Sequence, residues 1–182
     1  MKELNNLGMF ATAVAFAAEK HRRQRRKDSE ASPYINHPIS LARILIVEGD
    51  VDDIDTVCGA VLHDTIEDTD TTYEELCAVF GESIASIVLE VTDDKSIAKE
   101  ERKAAQVRHA PSLSRGAKLV KLADKIANLL DILQRPPAHW SRERKSAYLA
   151  WAAAVVDGLR GVHPALEARF DEVLAEGRAT LA

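Results

Sequence analysis

Apolar positions recur every three or four residues along almost the whole chain, and nowhere alternate with period two for long enough to make a sheet. The pattern predicts a first helix over about 5–27, with Phe10, Val14, Ala17 and His21 on one stripe. After the turn KDSEASPY, His37-Pro38 opens a second helix to about Glu48, with Pro38 in the first turn, where its missing N–H is tolerated. A GDVDD turn leads to a third helix over about 52–67, whose buried face is Ile54, Val57, Cys58, Val61 and Leu62. Thr72 and Glu75 have the spacing of a capping box for a fourth helix ending near Phe80-Gly81. A fifth helix covers Ser83–Thr92, and a charged loop, 93–103, enters a short sixth helix before Pro111. A long seventh helix, about 115–134, stops at Pro136-Pro137; two more follow at about 141–160 and 163–179, separated by Gly161 and Pro164. The expected fold is all-α, a single-domain helical bundle of about eight to ten helices over residues 1–182.

The 182 residues suffice to bury a core without disulfides or structural metals. Cys58 and Cys77 lie in apolar surroundings with no Cys-x-x-Cys spacing, as expected of small hydrophobes in a reducing compartment. MKELNNLGMF has no signal-peptide pattern, and no apolar run approaches the ~20 residues of a membrane span, so the expected location is cytoplasmic, with no membrane partner. A formal net charge of −5 argues against general nucleic-acid binding. That acidity is uneven: from Lys20 to Lys27 the chain reads KHRRQRRK, six of eight positions basic. A cationic last turn suits the helix dipole, but six charges exceed what capping needs. A solvated helix end and a local anion-binding site are the two alternatives.

In GAVLHDTIEDTDTT, residues 59–72, an apolar run meets His63-Asp64 and then Glu67-Asp68. On a continuous helix, residues about 100° apart put these four side chains in one sector of ~140°, beside the core-facing stripe. Crowded carboxylates raise one another's pKa unless a cation neutralises them, which makes a metal ion the economical explanation. Alone, a His-Asp pair reads equally well as a capped helix end. His37, before Pro38, reads either as a cap or packed ring or as a ligand. In the seventh helix Leu119, Leu122, Ile126, Leu129, Leu130 and Leu133 form the apolar stripe, while Asp124, Asn128 and Asp131 share another face. Pairing of Asp124 with Lys121 and Lys125 is worth only ~0.2–0.5 kcal/mol. The apolar setting LADKIAN is a poor place for an unpartnered charge.

His37, His63-Asp64 and Asp124 together resemble the H…HD…D signature of the HD-domain metal-dependent phosphohydrolases. The stretches HRRQRRKDSEASPYINHP, AVLHDTIEDTDTT, FG, VTDDK and GAKLVKLADKIANL look like the hydrolase domain of RelA/SpoT-type enzymes. The similarity is closest to the stand-alone, animal-type small alarmone hydrolases; it spans about residues 8–175 and leaves no room for a synthetase domain. The resemblance implies one divalent ion, usually Mn²⁺ with Zn²⁺ or Fe²⁺ as alternatives, held by His37, His63, Asp64 and Asp124 and activating water. It implies that Glu67 and Asp68 position and deprotonate that water, with assistance to the leaving oxygen as a further role. The implied substrate is guanosine tetra- or pentaphosphate (ppGpp, pppGpp), the alarmone of the stringent response. Cleavage at the 3′ position yields pyrophosphate and GDP or GTP.

Arg26 and Lys27 match family positions near the nucleotide, and Arg25 does so more weakly; such cations suit diphosphate oxygens. Tyr34 and Asn128 also match nucleotide-proximal positions, while Tyr148 is a weaker match in a helix whose Leu149 and Trp151 suggest core. Lys99, with Arg102 and Lys103, reads either as a second phosphate grip or as a solvated charged loop. One departure is SEASPY, where bacterial bifunctional members carry Gly shortly before the Pro-Tyr pair; this agrees with the animal-type subgroup. That subgroup is also associated with removing the 2′-phosphate of NADPH, a second reading that keeps the same site. A third is a catalytically inactive nucleotide-binding module, against which the intact set of acids and ligands speaks. The oligomeric state is open at this stage.

Overall fold

Side-chain caps set most of the helix starts in the computed structural model, which describes residues 5–182. Asn5 accepts from the Gly8 amide and opens α1 (Asn6–Lys20). α2 (Asn36–Arg43) has Pro38 near its start and continues through a wide π-helical turn, Ile44–Glu48. Asp53 caps α3 (Ile54–Leu62), and a turn at His63 and Asp64 separates it from the single-turn α4 (Thr65–Asp68). Thr72 caps α5 (Tyr73–Phe80), and Gly81, at φ 87°, turns the chain directly into α6 (Glu82–Val91). α7 (Lys99–His109) ends in a 3-10 turn at Ala110–Ser112. Ser114, Ser141 and His163 cap α8 (Arg115–Gln134), α9 (Arg142–Asp157) and α10 (Pro164–Thr180). The all-α expectation holds; among the described residues the sole β-type pairing is an isolated bridge between Arg25 and Pro33.

α3 and α8 form the centre. Every residue of α3 from Thr56 to Leu62 is buried, and α8 buries Leu119, Leu122, Ile126 and Leu129 within the same hydrophobic cluster. Helices α1, α2 and α6 pack on α3, while α2, α6, α9 and α10 pack on α8. Close approach depends on two glycines facing one side chain: a Cβ at Gly59 would lie 2.7 Å from Ile87 Cγ2, and one at Gly116 would lie 2.8 Å from Ile87 Cδ1. Among the described residues no helix is long and apolar enough to cross a membrane. Cys58 is buried and Cys77 half-buried, both free.

Three elements differ from expectation. α1 stops at Lys20 rather than near residue 27, and the basic run leaves the helix as a loop. Asp28 closes that loop by accepting from the Glu30 and Ser32 amides, at 3.0 and 3.1 Å, and Tyr34 N–H donates to Gln24 C=O. The third helix is broken at His63-Asp64, because the Thr65 hydroxyl and His63 Nδ1 bond the Leu62 and Ala60 carbonyls. The charged segment 93–103 becomes helical from Lys99, with Glu100 and Glu101 in the first turn and Arg108 and His109 in the last, matching the dipole.

Candidate active site

The break after α3 orients the first candidate ligand. His63 Nδ1–H donates to the Ala60 carbonyl at 2.8 Å, so the Nε2 lone pair is left free to bind a cation. His37, from α2, stands opposite with ring centroids 5.3 Å apart, and Asp124 enters from α8. One ligand atom from each of His37, His63 and Asp124 lies within 4.8 Å of the others. Asp64 Oδ2 is 2.9 Å from His63 Nε2 and also accepts the Tyr34 hydroxyl.

Asp124 is heavily partnered. Its Oδ1 faces His37 Nε2 at 3.2 Å and accepts from Asn128 Nδ2 at 2.6 Å, while Oδ2 accepts from Lys125 Nζ at 2.9 Å. Lys125 is itself buried, donates to Gln106 Oε1 at 3.2 Å and lies 4.4 Å from the Trp151 ring centre. Burial works against ionising both aspartates. Yet Lys125 and His37 hold Asp124 well below the usual carboxylate range, and His63 does the same for Asp64. At His63 burial is outweighed by Asp64 and the pKa rises; at His37 burial prevails and the pKa falls. Two imidazoles with two ionised, half-buried carboxylates fit a divalent transition metal as a donor set, and Nε2 of both histidines faces an aspartate oxygen within the cluster.

The cluster lines a cleft of about 340 Å³ together with Glu67, Asp93, Gln106, Lys121, Lys125 and Trp151. A second cleft of about 300 Å³ adjoins it, lined by Arg25, Asp28, Asp68, Asp131, Arg135 and Trp140 among others. Arg26, Lys27, Tyr34, Asn128 and Tyr148 line both clefts. Burial raises the Glu67 pKa, although its Oε2 accepts from the Asp93 amide at 3.1 Å. Asp68 lines only the second cleft, where Lys95 and Gln24 Nε2, the latter at 2.7 Å, hold its carboxylate. The two acids are thus divided between the clefts rather than stacked on one helix face. Burial pushes the phenols of Tyr34 and Tyr148 above their ordinary value, so both stay protonated.

Lys99 is exposed at the first turn of α7 and lines neither cleft. Arg102 donates to the Ile97 carbonyl at 2.8 Å and Lys103 lies over Trp151. Sequence reasoning missed Asp93, Gln106, Lys121, Asp131, Trp140 and Trp151 as cleft-lining groups. Lys121 and Asp131 carried a signal, being charges within a turn or two of Asp124 on α8; Gln106 and Trp151 carried none, because α7 and α9 reach the site only through tertiary packing.

Residues 13–153 match the family model described as the HD domain. The chain is 55% identical over 172 residues to the Danio rerio guanosine-3′,5′-bis(diphosphate) 3′-pyrophosphohydrolase MESH1, covering 94% of this chain and 96% of that one. The Homo sapiens protein of the same name is 51% identical over 169 residues, covering 93% and 94%. A solved structure, described as a metazoan ortholog of SpoT that hydrolyzes ppGpp and plays a role in starvation responses, superposes with a TM-score of 0.90. Its identity is 43%, over 97% of this chain and 98% of that one.

Proposed function

The chain belongs to the HD-domain family, and from that premise we propose that it is a metal-dependent 3′-pyrophosphohydrolase that converts ppGpp or pppGpp to GDP or GTP and pyrophosphate. One observation carries the reading within this molecule: the His37, His63 and Asp124 cluster opens beside a cationic, aromatic-walled cleft with which it shares Arg26, Lys27, Tyr34, Asn128 and Tyr148. A nucleotide with phosphates at both ends needs such a pair, one cleft for the reacting diphosphate and one for the rest.

His37, His63, Asp64 and Asp124 are the proposed ligands and Mn²⁺ the proposed ion. When bound, the ion supplies Lewis acidity to the scissile phosphoryl group and to water. Tyr34 fixes Asp64 through its hydroxyl, and Lys125 with Asn128 fixes Asp124, so the carboxylates are oriented in advance. Glu67, with its raised pKa, accepts the proton of the attacking water. Asp68 stands on the nucleoside side, where it orients the departing ribose oxygen and the groups that stabilise it. Lys121 lines the inner cleft, and Arg26 and Lys27 line both, offsetting the charge of the diphosphate. Tyr148 and Tyr34 offer ring faces, and Asn128 an amide, to the nucleoside. Residues 1–182 acting as one cytoplasmic hydrolase domain belong to the same proposal.

The test is a product assay of the purified protein with Mn²⁺, given ppGpp and NADPH side by side. The expected result is pyrophosphate from ppGpp. Release of phosphate from NADPH alone would transfer the site to the 2′-phosphatase reading, and no product from either would remove both.

A further inference from the structure

Arg26 sits on an irregular loop, and a flexible cation must lose rotamer freedom when it grips a phosphate. Here that freedom is already restricted. Nη2 of Arg26 donates to Asp131 Oδ2 at 2.6 Å and to Asn128 Oδ1 at 3.2 Å, and the guanidinium lies 5.7 Å from the Tyr34 ring centre. Asn128 in turn donates to Asp124, and Asp131 Oδ1 accepts from Arg135 Nη2 at 3.1 Å. The resulting chain, Asp124–Asn128–Arg26–Asp131–Arg135, takes three of its five members from α8 and a fourth, Arg135, from the residue that caps its C-terminus. Arg26 is thereby registered against the rigid helix that carries a candidate metal ligand. Among the described residues the Nε and Nη1 groups of Arg26 donate to no protein atom, which leaves these donors available where the side chain lines both clefts.

We infer that Asp131 is a positioning residue: it holds Nη2 of Arg26 so that the remaining Nε–H and Nη1–H donors meet a substrate phosphate in register with the metal centre. The inference rests on the proposed role of Arg26 as a phosphate ligand. The alternative effect of the same carboxylate, cancelling the charge of Arg26, has the opposite sign and is separable by experiment. Asp131 is half-buried at the end of α8, is absent from the hydrophobic cluster, and packs mainly through its ion pairs. Truncating it is therefore expected to leave the fold intact.

The experiment is a double-mutant cycle on ppGpp hydrolysis with Asp131→Ala, Arg26→Ala and both together. Asp131→Asn is the conservative variant, and Mn²⁺ affinity is measured in parallel by calorimetry. Asp131→Ala is expected to raise KM about tenfold, with kcat and Mn²⁺ affinity changed less than about twofold. In the Arg26→Ala background the same substitution is expected to change KM by less than about twofold, and Asp131→Asn to recover most of the loss. A KM that falls in Asp131→Ala shows charge competition and overturns the inference, as do additive effects in the cycle or a loss confined to Mn²⁺ affinity. An inactive wild type refutes the proposed function instead. An unaltered KM in Arg26→Ala refutes the phosphate role on which the inference depends.

Discussion

Replacing Gly59 by alanine adds one methyl group at the contact between α3 and α6, and the sign of its effect follows from what surrounds Ile87. The new Cβ would lie 2.7 Å from Ile87 Cγ2 and 3.3 Å from its Cβ, so something must move. Ile87 cannot yield toward α8, because its Cδ1 already occupies the place of a missing Cβ at Gly116, at 2.8 Å. The helix must therefore shift. Overpacking of this kind costs about 1–3 kcal/mol. Alanine returns up to about 1 kcal/mol of helix propensity, leaving a net loss of up to roughly 2 kcal/mol. For a chain of this size the upper figure corresponds to a fall in Tm of about 4–8 °C. Thermal unfolding followed by circular dichroism measures it, with Ile87→Ala and the double variant as partners, since Ile87→Ala removes the clashing methyl. Gly59→Ala should cost far less in that background. A raised Tm for Gly59→Ala, or an equal loss in both backgrounds, refutes the argument. Because α3 ends at Leu62, directly before His63, the displaced helix should also weaken Mn²⁺ binding.

Three further predictions concern the site. Glu67→Gln with Asp68→Asn should reduce turnover by roughly 100-fold or more while Mn²⁺ still binds by calorimetry, and retained turnover would refute their assigned roles. Chelation should lower the Tm, and readdition of Mn²⁺ at about 100 times its Kd should restore about 2.7 kcal/mol, an effect that His63→Ala and Asp124→Ala should abolish. In the metal-free protein Asp64 and Asp124 have lowered pKa values, so their stabilisation is full above about pH 4 and lost as pH falls further. Glu67 runs the other way: its pKa is raised, so its contribution is full below about pH 4 and is lost as pH rises through the folded value. Glu67→Gln should therefore gain relative stability as pH rises above about 4, and a gain on acidification instead would contradict the burial of that carboxyl.

The helices legible in the sequence are those whose stability comes from an apolar stripe. α8 ends where Pro136 and Pro137 predict, and α5 begins at the Thr72 cap. Glu75 supplies only its amide to that cap and turns its carboxylate to Lys20, so the capping box is half formed. The first turns of α7 escape the apolar pattern because the helix buries no side chain fully, leaving periodicity with nothing to detect. Residue types at the candidate metal centre were legible, since few patterns other than a cation site bring two histidines and two aspartates to apolar helices. Lys125 was not. Beside Asp124 it looks like an ordinary helix-surface pair, and only the packing of Trp151 from α9 and Gln106 from α7 makes it a buried cation.

The break at His63-Asp64 has a chemical consequence that a continuous helix would deny. On an uninterrupted helix Glu67 would stack on His63 and Asp68 on Asp64, all on one face and mutually repelling. The carbonyl bonds of His63 and Thr65 end α3 early, and the separate turn α4 sends its two acids apart. Glu67 turns toward the Asp93 amide and the inner cleft, where burial raises its pKa. Asp68 turns to Gln24 and Lys95 on the outer cleft. In the proposed reaction this puts one carboxylate on the water side of the scissile bond and one on the nucleoside side. Proton acceptance and leaving-group orientation then fall to different residues, so Glu67→Gln alone should depress kcat, while Asp68→Asn alone should also disturb KM through the loosened Gln24 and Lys95. Equal and purely kcat-directed losses from the two single variants would mean that both acids serve the same side.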